Sequence, residues 1–223
     1  SSGIGLATAK AAAEAGASVT IASRSQAKLD EALKELGPAA RAVALDTADE
    51  AAIDRFFAEE AGWDHIVISA AQTASGPVRS LPLPDAKQAM ESKFWGAYRV
   101  ARAAKFNERA TLTFITGFLS VRPSATSVLQ GAINAALEAL ARGLALELAP
   151  VRVNAVSPGL IDTPLWSKMP DENRQAMFTR VAANLPARTV GTPEDISNAV
   201  LFLMTTPFAT GSTVRVDGGG AIV

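Results

Sequence analysis

The chain has 223 residues, of which 48% are hydrophobic, enough to bury a full core in one α/β domain. With 21 basic and 22 acidic residues the formal net charge is −1, so there is no electrostatic footprint for nucleic acid or for an anionic membrane surface. Cysteine is absent and His65 is the only histidine, which excludes a disulfide scaffold and a thiolate or multi-histidine metal site. Charges interrupt every long apolar stretch and nothing at the start reads as a signal peptide, so a soluble, cytoplasmic protein is expected.

The first element is SSGIG, residues 1 to 5, running into a small-residue helix that stops at Gly16. Glycines at 3 and 5 let backbone approach a pyrophosphate, and a helix start offers it free N–H groups and a positive dipole end. An ordinary tight turn would look the same. The apolar run 18 to 22 reads as a strand and is followed by Ser23 and Arg24. These stand about twenty residues beyond Gly3, where NAD-binding folds place an acid on the ribose. A carboxylate would repel a 2′-phosphate, whereas a hydroxyl and a guanidinium bind one, so the pair points to NADP(H). A solvated loop arginine is the alternative for Arg24.

Residues 26 to 36 follow as a helix with Leu29, Leu33 and Leu36 on one stripe and Gly37 as its stop. Strands are predicted at 41 to 46, 65 to 69, 111 to 116, 151 to 157 and 213 to 217. Thr192 and Pro193 open a helix over 193 to 204. Residues 126 to 150 form a long Ala- and Leu-rich helix on which Gln130 and Asn134 share a face. Apolar strands alternating with helices predict a three-layer, doubly wound parallel sheet, the Rossmann architecture, spanning residues 1–223 as a single dinucleotide-binding domain. The longest departures from this order, the loop-rich stretch 73 to 84 and the segment 158 to 190, are expected near the carboxyl ends of strands, where ligands bind in such sheets. Residues 165 to 178 are expected to be a lid supplying Leu165, Trp166, Met169, Met177 and Phe178 to an apolar pocket, although that spacing also suits simple packing.

SSGIG, RVNAVSPG, PGLIDT and GTPEDISNAVLFL followed by TGSTVRVDGGG together resemble the short-chain dehydrogenase/reductase family along the whole chain. The resemblance implies that Ser1, Ser2, Gly3, Ile4 and Gly5 wrap the pyrophosphate and that Asp46, with Thr47 beside it, holds the adenine amino group. It places Ala70 and Ala71 along the adenosine. Pro158, Gly159, Ile161 and Thr163 would grip the nicotinamide carboxamide and the adjacent phosphate. Asp46 also has a plain reading as a cap for the following helix. The family carries a strand and a Thr-Gly pair ahead of the position of Ser1, so the natural protein is expected to begin earlier, since loss of a central strand would leave two raw sheet edges.

The resemblance departs at the catalytic positions. The family's Ser, Tyr and Lys fall on Gly117, Gln130 and Asn134, and its Asn on the preceding helix falls on Lys93. Gln130 cannot protonate a carbonyl oxygen at neutral pH. Thr116 and Ser120 flank Gly117 and either hydroxyl could replace the missing serine, or both could be ordinary strand-end groups. Lys93 and Asn134 read as an exchange in which Lys93 reaches the nicotinamide ribose from the opposite helix; the alternative is a lysine packed on Phe94 or Trp95 with its head in solvent. Two functions fit: an NADP(H)-dependent oxidoreductase acting on a small carbonyl or alcohol by an atypical proton pathway, or a non-catalytic NADP(H)-binding sensor or silent subunit. A homodimer or homotetramer is implied, built on helices 85 to 104 and 126 to 149, with Tyr98 at the contact.

Overall fold

A computed structural model describes residues 1–223. The helix α1 (Gly3–Glu14) leads to β1 (Thr20–Ser23), α2 (Gln26–Leu36), β2 (Arg41–Ala44), α3 (Glu50–Glu59) and β3 (Trp63–Ile68). Then come α4 (Leu83–Met90), α5 (Gly96–Ala103), β4 (Phe106–Ile115), α6 (Val128–Glu147), β5 (Arg152–Pro158), α7 (Asp171–Asn184), α8 (Pro193–Thr205) and β6 (Thr213–Val216). Every predicted strand forms, and all strand pairs are parallel.

Local chemistry sets the boundaries. Ser25 caps α2 through Lys28 N–H, and Gly37 closes it at φ +81°. At α8, Thr192 and Asp195 form a reciprocal capping box with Pro193 as the first helical residue. Asp49, not Asp46, caps α3, accepting from Ala52 N–H at 2.9 Å. Asp46 instead closes the turn before it, accepting from Ala48 N–H at 3.0 Å, so the plain reading of Asp46 as the helix cap is wrong by three residues.

The sheet is in two pieces, β1-β2 and β3-β4-β5-β6. Arg24, just after β1, reaches Gln72, just after β3, so these two strands face each other across the interruption. No backbone ladder joins the pieces; α1 does. Ala9 packs with Ile21, Leu29 and Ala32 on one side, while Ile4 packs against the cluster of Ile115, Val156 and Ile196 on the other. The opposite face of the larger sheet is covered by α3, α5 and α6 around Ile53, Leu112, Phe114 and Leu137. Each fully buried side chain of this kind contributes about 1.5–3 kcal/mol to holding helix on sheet.

Two segments differ from expectation. Helix 85 to 104 is α4 and α5 joined by a wide turn, Glu91–Trp95, in which Gly96 N–H bonds to Glu91 O, five residues back. Within the segment 158 to 190, α7 occupies the middle. Its lid role is only partly seen. Phe178 is buried, but Leu165 is 77% exposed, and the Trp166 indole donates to Ile161 O at 2.9 Å. A small cavity of about 200 Å³ nearby is lined by Leu160, Thr189, Asp195 and Asp217 rather than by the lid side chains.

Candidate active site

The carboxyl ends of the strands gather the predicted residues. At one side the start of α1 forms a cradle. Its N-terminal N–H groups have no side-chain cap, and Gly3, at φ +50°, lies so close to Thr163 that an added Cβ would come within 3.3 Å of it. A Cβ on Gly5 would strike Ser69 Oγ at 2.6 Å. Glycine at both positions lets the α1 backbone lie this close to the Thr163 and Ser69 side chains, and the uncapped amides suit an anionic diphosphate. Arg24 stands at the mouth of this groove with one guanidinium nitrogen 2.9 Å from Gln72 Oε1, and Gln72 N–H is itself held by Ser92 Oγ at 2.8 Å. Ser23 Oγ accepts from Ser25 N–H at 3.4 Å. Ala70 and Ala71 lie exposed on the loop after β3, and Thr47 O accepts from Arg99. Pro158 ends β5 and Gly159 packs against Asp217. Ile161 is buried with its carbonyl taken by Trp166, while its N–H makes no bond within the protein. The carboxamide grip expected of Ile161 is thus reduced to a donor.

The second half of the site lies between β4, α6 and the wide turn. Lys93 Nζ donates to Asn134 Oδ1 at 2.6 Å and to Thr116 O at 2.8 Å. It therefore points at Asn134, not at solvent along Phe94 or Trp95. Burial lowers its pKa from 10.5 to about 8, and the negative charge of Glu138 opposes that fall. The wide turn carries Lys93 at its centre, and such turns recur at functional sites because they re-aim side chains. Gly117 explains how Asn134 fits. A Cβ there would come 2.7 Å from Asn134 Nδ2, so the missing side chain is the room that the amide fills. Asn134 is only 4% exposed, and its Oδ1 accepts from Lys93. Gln130, one turn earlier on α6, donates to Thr73 Oγ1 at 3.2 Å.

Thr116 and Ser120 turn their hydroxyls toward α6. Both hydroxyls donate to Glu138 Oε1, at 3.3 and 2.6 Å, which corrects their candidacy as stand-ins for the missing serine. Glu138 is not singled out by any motif in the sequence, yet it is 6% exposed and stands four residues beyond Asn134 on the same helix stripe. A carboxylate on the buried face of an Ala- and Leu-rich helix was the available signal.

Residues 1–220 match the family model described as enoyl-(acyl carrier protein) reductase. The short-chain dehydrogenase/reductase ucsE of Acremonium sp is 32% identical, covering 99% of this chain and 92% of the relative. The chain is a short-chain dehydrogenase/reductase. Solved members of this family superpose closely on it. A small-chain dehydrogenase in complex with NADPH, 32% identical, covers 92% of this chain and 99% of its own at a TM-score of 0.81. The NADPH-bound short chain oxidoreductase from Pseudomonas aeruginosa PAO1, described as containing an atypical catalytic center, is 26% identical with a TM-score of 0.89, covering 98% of this chain and 92% of its own. Within the family's Rossmann fold the wide turn, α6 and the end of β4 converge at the mouth of the sheet.

Proposed function

We propose that the protein is an NADP(H)-dependent oxidoreductase acting on a small carbonyl or alcohol, with residues 1–223 forming one dinucleotide-binding domain. The observation that carries the reading is the 2.6 Å bond from Lys93 to Asn134, which puts an ammonium beside the helix position where the family keeps its lysine. Gly3, Ile4, Gly5 and the uncapped start of α1 would hold the diphosphate, with Ser1 and Ser2 in the same turn and Thr163 against Gly3. Ser23 and Arg24 would take the 2′-phosphate. Asp46, Thr47, Ala70 and Ala71 would flank the adenosine, and Pro158, Gly159 and the free Ile161 N–H the nicotinamide end. Two related structures that hold NADPH add weight to this choice of cofactor.

When bound, the reduced nicotinamide supplies a hydride to the carbonyl carbon. Lys93 gives a proton to the oxygen as the π electrons move onto it, and water restores the ammonium. An ammonium with a pKa near 8 is a competent acid at neutral pH, which the Gln130 amide is not. Gln130 retains a second N–H that can hold the carbonyl oxygen in place. Asn134 and Thr116 O fix the ammonium without competing for its third proton. A homodimer or homotetramer would be served by the exposed Trp95, Tyr98, Val128 and Leu146 on α5, α6 and the wide turn, and light scattering would give its mass.

The test is direct. Incubating the protein with NADPH and a panel of ketones and aldehydes should show binding by fluorescence and loss of absorbance on turnover. NADPH binding with no turnover on any carbonyl, and no NADP⁺ reduction with the matching alcohols, would refute the oxidoreductase reading and leave a cofactor-binding protein.

A further inference from the structure

Lys93 is held by two neutral oxygens, Asn134 Oδ1 and Thr116 O. An ammonium taken from water into such a pocket loses hydration that neutral acceptors restore only in part. The balancing charge is one turn further along α6. Glu138 Oε1 receives the hydroxyls of Thr116 and Ser120, and Thr116 bonds to both ions, its carbonyl to Lys93 and its hydroxyl to Glu138. Thr116 N–H donates to Val156 O at 2.9 Å, which pins the segment to β5, and the single Thr116 hydroxyl proton is shared between Glu138 Oε1 and that same carbonyl, 3.2 Å away. No other carboxylate contributes to Lys93. Glu91, on the same turn, is paired with Arg99.

We propose that Glu138 is a positioning residue of this site, one that fixes the Thr116–Ser120 segment beneath Lys93 and supplies the negative charge that balances its ammonium. The inference rests on the assignment of Lys93 as proton donor. Glu138 acts through Thr116 and through its field and makes no contact with the substrate. This division explains why two hydroxyls beside the reacting centre are spent on a carboxylate instead of on a carbonyl oxygen. It also explains why an acid is retained on the buried stripe of a helix where an apolar residue would pack at lower cost.

The experiment compares the full chain with Glu138→Gln and Glu138→Ala. The glutamine keeps an acceptor oxygen for both hydroxyls and removes only the charge. In protein labelled with ¹⁵N-lysine, and with Lys93→Met to assign the signal, Lys93 should titrate at lower pH in Glu138→Gln than in the unaltered protein. Carbonyl reduction in that variant should fall about 2.5-fold more at pH 8.5 than at pH 6.5, the consequence of half a unit in the acid's pKa. Glu138→Asp should restore part of both. A merely structural glutamate would lower reduction equally at both pH values and leave the Lys93 titration in place, and that result overturns the inference. If Glu138→Ala does not fold, the isosteric variant still decides. The titration needs no turnover, so a protein that reduces nothing would refute the proposed function while the role of Glu138 was still judged on the NMR signal.

Discussion

Lys93→Met should separate the proton donor from everything else in the site. Methionine has nearly the same length and no charge, so α4, α5 and the NADPH groove are expected to keep their shape. The pKa of about 8 sets the wild-type pH profile. Protonated Lys93 falls from about 90% at pH 7 to about 10% at pH 9, so carbonyl reduction should lose roughly tenfold across that interval. Alcohol oxidation needs the neutral amine and should rise over the same range. In Lys93→Met the limb near pH 8 should vanish, with reduction at pH 7 about 10²- to 10⁴-fold slower, the usual worth of general acid catalysis. The assay is NADPH consumption between pH 6.5 and 9.5 at saturating carbonyl, with cofactor affinity measured in parallel. A wild-type profile flat through pH 8, or a variant keeping more than a tenth of the activity, would show that another group donates the proton.

The same lysine has a signature in stability. Its folded pKa lies below the ordinary 10.5, so between about pH 8 and 10.5 the unfolded chain binds more protons and stability should rise with pH; denaturant titration of Lys93→Met should show that rise removed. Arg24→Ala should cost about 1.5–3 kcal/mol in NADPH affinity and little for NADH, and Gln72→Gly, which only frees the guanidinium, about 0.5–1.5 kcal/mol, both read by fluorescence titration. Gly117→Ser alone should destabilise by about 1–3 kcal/mol, because its Cβ meets the Asn134 amide, whereas Gly117→Ser, Gln130→Tyr, Asn134→Lys and Lys93→Asn together should raise carbonyl reduction above any single change. Leu137→Ala, in the fully packed layer between α6 and the sheet, should cost about 2–5 kcal/mol in thermal or denaturant unfolding.

The alternation of apolar runs and helical stripes is enough to place all six strands, because a strand covered on both faces is mostly apolar even where it buries a threonine or asparagine, as β4 and β5 do. The stop at Gly37 and the start at Thr192 were equally plain, since each depends on one residue's backbone or side chain. The site was legible where spacing along one element decides it, as for Gln130 and Asn134. It was not legible where side chains from different elements share an atom. Glu138 is an unremarked acid until Thr116 and Ser120 arrive from the end of β4, and Gln72 gains its meaning only when β1 and β3 bring Arg24 against it. The lid was only partly legible for a related reason: apolar spacing on 165 to 178 marks a buried face but not which body it is buried against.

The wide turn between α4 and α5 makes one helix behave as two. In an ordinary α-helix each residue adds about 100° of rotation, so the facing of every later side chain is locked to that of every earlier one. An additional residue accommodated between Met90 and Gly96 breaks that lock without breaking the rod. Ala97, Val100 and Ala101 are then free to meet the core at their own angle while Lys93 is aimed by the demands of the cleft. Insertion or deletion of a single codon here would swing one set past the other, a change no exchange of side chains could imitate. Length, rather than identity, is therefore the variable through which this helix can acquire or lose its reach into the cleft.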